Sequence, residues 1–140
     1  MAVHDPYAHG PFNAYRNNIT DLSSGATDVR CALLSSAHTP SLTGHETFSD
    51  VSANEVSGTG YSSGGQALST TDLSISGSVT TYSAADVVWT ESTITAGYAV
   101  IYDNDSGNLL TLIDFEGTEE SENGDFSIEF DAGDIFSVST

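Results

Sequence analysis

Apolar and polar residues alternate with a period of two along most of this chain, and the clearest departure lies near its start. Phe12, Tyr15, Ile19 and Leu22 recur at helical spacing, Pro11 suits a first helical position, and Ser23, Ser24 and Gly25 end the run. The spacing therefore predicts one short amphipathic helix over 11–22. Ahead of it, residues 1–10 read as an extended arm; residues 11–140 read as a single domain with one modest core.

After Gly25 the pattern is that of strands and turns. Val29, Cys31 and Leu33 alternate with Arg30, Ala32 and Leu34, as in a half-buried strand closed by Ser35, Ser36 and His38-Thr39-Pro40. Further strands are expected over 66–75, 79–83, 87–89 and 97–102; in the last, Tyr98, Val100 and Tyr102 share one face and Ala99 and Ile101 the other. The run Asp103-Asn104-Asp105-Ser106-Gly107-Asn108 predicts a hairpin turn into a strand over 109–115. An acidic loop is expected over 117–125. Phe126, Ile128 and Phe130 then alternate with Ser127 and Glu129, and 135–138 forms a last strand. Seven or eight strands and one helix argue for a mainly β fold, an antiparallel β-sandwich of jelly-roll-like type. The segment 41–65 has few large apolar residues and reads as a long loop with short structured pieces. Loops of that size are usually functional or ordered by a partner.

Charge changes this picture. Arg16 and Arg30 are the only basic residues besides four histidines, there is no lysine, and twenty acidic residues give a net charge of −18 over 140 residues. Six Phe, six Tyr, one Trp and many β-branched residues separate the chain from disordered acidic tails. Such self-repulsion is tolerated best in concentrated salt, where the Debye length falls to roughly 3 Å at 1 M, so the composition is that of a halophilic protein. Binding to nucleic acid or anionic lipid is excluded by the lack of Lys and Arg. No run approaches the ~18 apolar residues of a membrane span, and 1–11 has neither the basic start nor the apolar stretch of a secretory signal. The chain is expected to be soluble. Cys31, the lone cysteine, forms no intrachain disulfide and reads as a buried small hydrophobe.

Candidate chemistry is sparse. No Ser lies in a Gly-x-Ser-x-Gly context, and Gly58, Gly60, Gly64 and Gly65 are followed by neither Lys-Ser/Thr nor an amphipathic helix, so they read as turn glycines. His4 and His9 have no third ligand in view. Asp103, Asp105 and Gly107 resemble the start of a calcium loop, but Asn108 and Asp114 stand where such a loop wants Gly and Glu; Asp103 and Asp105 are weak metal candidates. Glu116, Glu119, Glu120, Glu122 and Asp125 read as a hydrated acidic surface. His45 beside Glu46 lacks a nucleophile to activate. Trp89 reads as a core anchor, or, if displayed beside Tyr98 or Tyr102, as a platform for stacking carbohydrate. No cofactor and no enzymatic activity are expected.

The order of segments carries a resemblance. Arg30-Cys31-Ala32-Leu33-Leu34, Thr39-Pro40, His45-Glu46-Thr47-Phe48-Ser49-Asp50-Val51, Asn54-Glu55-Val56-Ser57-Gly58-Thr59-Gly60-Tyr61 and Gly64-Gly65-Gln66-Ala67-Leu68 come first. Asp86-Val87-Val88-Trp89, Thr93-Ile94-Thr95-Ala96, Tyr98-Ala99-Val100-Ile101-Tyr102, Leu112-Ile113-Asp114-Phe115 and Asn123-Gly124-Asp125-Phe126 follow. The series resembles a family of small virion structural proteins of tailed bacteriophages and tailed archaeal viruses. The resemblance implies a role in assembly without a catalytic centre, as head decoration or as a tail, fibre or baseplate component, in a virion assembled in the host cytoplasm. It implies contacts with other virion proteins, the major capsid or tail proteins among them, and a homo-oligomer. The departure is the charge: basic positions common in bacteriophage members are Asp, Ser and Thr here, which points to a salt-loving host, an archaeon. Within this reading the arm and the loop 41–65 carry the contacts to neighbouring subunits, with His45, Phe48, Val51 and Tyr61 as interface anchors; Phe48 and Tyr61 also fit a core role.

Overall fold

A computed structural model describes residues 3–6, 28–69, 72–77, 79–130 and 134–139. The helix expected over 11–22 lies outside them.

The described chain is mainly β and antiparallel. Its strands are β1 (Val3–Pro6), β2 (Val29–Leu34), β3 (Gln66–Ala67), β4 (Asp72–Ser76), β5 (Val79–Ser83), β6 (Val87–Asp103), β7 (Leu109–Ile128) and β8 (Asp134–Ser139). They form a five-stranded sheet ordered β1-β7-β6-β2-β3 and a three-stranded sheet ordered β4-β5-β8. Part of the expected N-terminal arm is thus a strand: Val3 to Pro6 pair with β7 from Asp114 to Thr111.

The centre of the larger sheet is buried on both faces, because period-two alternation in its strands places apolar residues on each side. Cys31 and Leu33 of β2 with Ala99 and Ile101 of β6 join one cluster, which includes Trp89, Ile113, Phe126 and Tyr82 of β5. Ala32 and Leu34 with Val100 and Tyr102 join a second, which includes Leu109 and Leu112. What covers this second cluster is the loop 41–65: Val51 is 1% exposed, and Leu42 and Phe48 pack against it.

Two expectations are corrected in the long hairpin. The segments 87–89 and 97–102 belong to one 17-residue strand, β6. The expected acidic loop over 117–125 is part of the 20-residue β7, where Glu119, Glu120 and Ser121 pair with Ala96, Thr95 and Ile94. In β7, Gly117, Thr118, Glu119 and Glu120 are all exposed, so no apolar alternation marks the strand; in β6 the inward positions of the joining stretch include the polar Ser92 and the small Ala96. The hairpin bends at bulges: β7 carries extra residues between the pairs Ala96/Glu119 and Tyr98/Asp114, with Glu116 at φ 57° and Gly117 at φ 147°. Another irregularity is plugged by Ser92, whose buried Oγ lies 3.0 Å from the Trp89 carbonyl, 2.8 Å from Ser121 Oγ and 3.1 Å from the Gly124 carbonyl.

The turn Asp103 to Asn108 is where the sequence places it. At the start of β3, Gly65 has φ 80°, and a Cβ there would collide with the Cys31 carbonyl. The chain can run along the β2 edge at this point only with glycine.

Candidate functional site

The loop 41–65 is ordered by this chain's own contacts. Its first part docks on the hairpin tip: Phe48 N–H donates to the Gly107 carbonyl at 2.8 Å and Leu109 N–H to the Glu46 carbonyl at 2.9 Å. Two short 3-10 turns follow, Phe48–Asp50 and Ser52–Asn54. The first is capped by Asp50, whose carboxylate accepts Glu46 N–H at 2.9 Å and Thr47 N–H at 3.0 Å. Those two amides hold the Asp50 carboxyl below its usual range.

The second part hangs on Glu55. Its carboxylate accepts Tyr61 O–H at 2.6 Å, Gly64 N–H at 2.7 Å and Ser63 O–H at 3.2 Å. Tyr61 Oη in turn accepts Leu33 N–H at 3.0 Å, and Tyr102 O–H donates to the Gly64 carbonyl at 2.6 Å. Glu55 therefore ties the loop to β2 and β6 through two tyrosines. Burial, and then the hydrogen bond to Glu55, push the Tyr61 phenol well up; burial pushes Tyr102 up to about 12.

The four anchors expected from the sequence consequently differ in availability. Val51 points into the second cluster and Tyr61 packs against the first. Phe48 stacks on Tyr102 with ring centroids 4.2 Å apart and an interplanar angle of 7°, yet remains partly exposed. His45 is half-buried and lies against His38, ring centroids 5.6 Å apart. His38, 4% exposed, also meets Tyr98 edge to face at 5.5 Å. Sequence reasoning missed His38 and Glu55, for no local pattern reveals which distant strand a loop residue will meet.

The weak metal candidates are engaged in the hairpin turn. Asp103 is 1% exposed; its Oδ1 accepts Asp105 N–H at 3.0 Å and its Oδ2 accepts Ser106 O–H at 2.7 Å. Asp105 Oδ2 accepts Asp28 N–H at 3.4 Å, and Asp28 pairs with Arg30 at 3.1 Å. The two carboxylates fold the turn and tie it to the start of β2. Among the described residues no group of three or more His, Cys, Asp or Glu is placed to hold a metal ion.

Trp89 is 1% exposed and Tyr102 2%, and Tyr98 is half-buried. An open groove of about 390 Å³ lies along β7, lined by buried Phe115, Phe126 and Ile128 and by exposed Glu119, Glu120, Asp125 and Glu129. β1 covers β7 only from Thr111 to Asp114, so beyond Phe115 no described strand pairs with its outer edge. Carboxylates on such an edge oppose pairing with another chain. No helix among the described residues is long and apolar enough to cross a membrane. Comparison with protein-family models, with curated proteins and with solved structures finds no match to this chain.

Proposed function

We propose that this chain is a non-enzymatic structural protein of a tailed virus whose host lives in concentrated salt, acting in capsid decoration or assembly as a homo-oligomer bound to other virion proteins. The order of its segments and its lysine-free acidic composition support the reading. The observation that favours assembly over host recognition is the burial of Trp89 and Tyr102. A glycan platform needs an aromatic face open to solvent, and these two rings serve the core. A tail fibre, spike or baseplate module is the second reading; the partly exposed His45 and Phe48 suit a contact surface in either place.

The finer architecture belongs to the same proposal. The five- and three-stranded sheets form the two layers of a sandwich, a reading supported by Tyr82 of β5 lying in one cluster with Trp89 and Cys31.

Immunogold labelling of intact virions kept in molar salt tests the proposal. Label over the icosahedral head is expected. Label confined to the tail or its tip would shift the role to host recognition or tail assembly, and a chain absent from purified virions would overturn the structural reading altogether.

A further inference from the structure

The last part of β7 alternates with a period of two: Phe126, Ile128 and, just past the strand, Phe130 are buried, while Asp125, Ser127 and Glu129 are exposed. One face of this stretch is therefore apolar and the other acidic. On one side it pairs with β6, Trp89 opposite Phe126 and Val87 opposite Ile128. On the other side β1 reaches only from Thr111 to Asp114, and no described strand continues it. The groove of about 390 Å³ has a described lining of Phe115, Glu119, Glu120 and residues 125–129, with none from β6, so it opens along the side of β7 that faces away from β6. Phe115 and Phe126, ring centroids 6.0 Å apart, meet at its floor where the strand bends. An unpaired edge offers backbone donors and acceptors to an added strand.

We propose that the outer edge of β7 docks an extended segment of another protein in which apolar residues alternate with Lys or Arg. An added strand repeats the pleat of the strand it joins, so its side chains on the Phe126 and Ile128 face must be apolar and those on the Asp125 and Ser127 face cationic or polar. Glu119 and Glu120 line the same groove. Arg30, the one Lys or Arg among the described residues, is on β2 and pairs with Asp28, so it does not neutralise this rim. The carboxylates that oppose pairing with a chain of like charge attract one of opposite charge. A second copy of this chain does not fit, because it would set the same carboxylates directly against these, and like charges opposite one another destabilise a strand pair. Salt screens the ion pairs and leaves the apolar contacts, so affinity should rise as salt is lowered within the range where the chain stays folded. The docking site goes beyond the assembly role and does not depend on it.

Titration of the ¹⁵N-labelled full chain with a blocked peptide of about seven residues alternating Lys and Val, the length of an ordinary strand, tests the edge at the lowest salt in which circular dichroism shows the chain folded. Amide shifts confined to 115–129 are expected. Affinity should fall severalfold in Asp125→Asn/Glu129→Gln and stay unchanged in Glu91→Gln/Glu122→Gln, which removes as many charges from exposed positions outside the groove. A peptide alternating Glu and Val, and one alternating Lys and Ser, should each bind about tenfold or more weakly, the first for its charge and the second for its lost apolar face. Absence of binding, equal affinity for either control peptide, shifts spread over the whole surface, or equal weakening by the two double variants would each overturn the proposal. Shifts of the same amides with protein concentration alone would give the edge to a second copy and overturn it as well.

Discussion

The β6–β7 hairpin is one element with two characters. Towards its turn, from Ala96 to Asp103 and from Leu109 to Phe115, nearly every residue is buried, with one cluster on each face. Away from the turn, Thr90, Glu91, Thr93 and Thr95 of β6 and Glu116 to Glu120 of β7 are exposed. Backbone pairing continues through both halves. Hydrogen bonding therefore does not distinguish them; side-chain environment does, and the bulges at Glu91, Glu116 and Asn123, all with positive φ, fall in the outer half where packing tolerates them. The inner half binds the fold together. The outer half presents charge.

The sharpest way to break this contrast is a pair of truncations on the same strand. Ile101→Ala is expected to cost about 2–5 kcal/mol, whereas Thr95→Ala should stay within about 0.5 kcal/mol, both measured by denaturant unfolding in molar salt. Equal costs would dissolve the distinction. Next in size is the tie that holds the covering loop to the inner half. Glu55→Ala strands the Tyr61 hydroxyl and the Gly64 amide, and should cost about 1.5–3 kcal/mol; Tyr61→Phe leaves Gly64 its acceptor but strands the Leu33 amide, and should cost about 1–3 kcal/mol.

A smaller effect is expected in the outer half. Replacing Glu116, Glu119, Glu120 and Glu122 together by Gln should lower the NaCl concentration at the folding midpoint while leaving stability in saturating salt nearly unchanged, since salt already screens the repulsion. A midpoint that does not move would assign the salt requirement, if circular dichroism shows one, to other carboxylates. The smallest effect is one of pH and belongs to His38, just ahead of the loop. The folded state lowers the His38 pKa, so the unfolded chain binds the proton more readily. Stability is then full above the unfolded value of about 6.5 and declines as pH falls below it towards the folded value. Unfolding at pH 7.5 and 5.5 should show this slope in the wild type and lose it in His38→Asn. Asp50 adds a similar decline at more acid pH, below its ordinary range, where its carboxylate no longer caps the first 3-10 turn.

The same contrast explains what was legible in the sequence. β2 and the hairpin turn follow from local patterns, the one because both its faces are apolar and the other from its run of turn residues, and β5 and the last strand stand at or near the bounds their alternation predicts. The stretch 90–96 hides its strand because two of its inward residues, Ser92 and Ala96, are polar or small, and 117–125 reads as a loop because Gly117 to Glu120 are all exposed and period-two alternation is lost there. The long loop was correctly located but its inward residues were not separable from outward ones. Val51 and Phe48 lie three residues apart in chemically similar surroundings, and only the sheet beneath them decides that one is 1% exposed and the other is not. His38 and His45 meet through a turn whose shape depends on Ser41 accepting two backbone amides, a detail no composition rule supplies.

Cys31 gives the inner half a built-in clock. Its thiol is 0% exposed, and burial pushes its pKa up, so the reactive thiolate is withheld as long as β2 stays in the sheet. β2 pairs with β6 on one side and with β3 on the other, and the residues flanking Cys31 belong to both clusters. A thiol reagent can therefore reach this chain's single cysteine only when the sheet itself opens. Its rate of modification reads out the opening of the core directly, without an added probe, at any salt concentration.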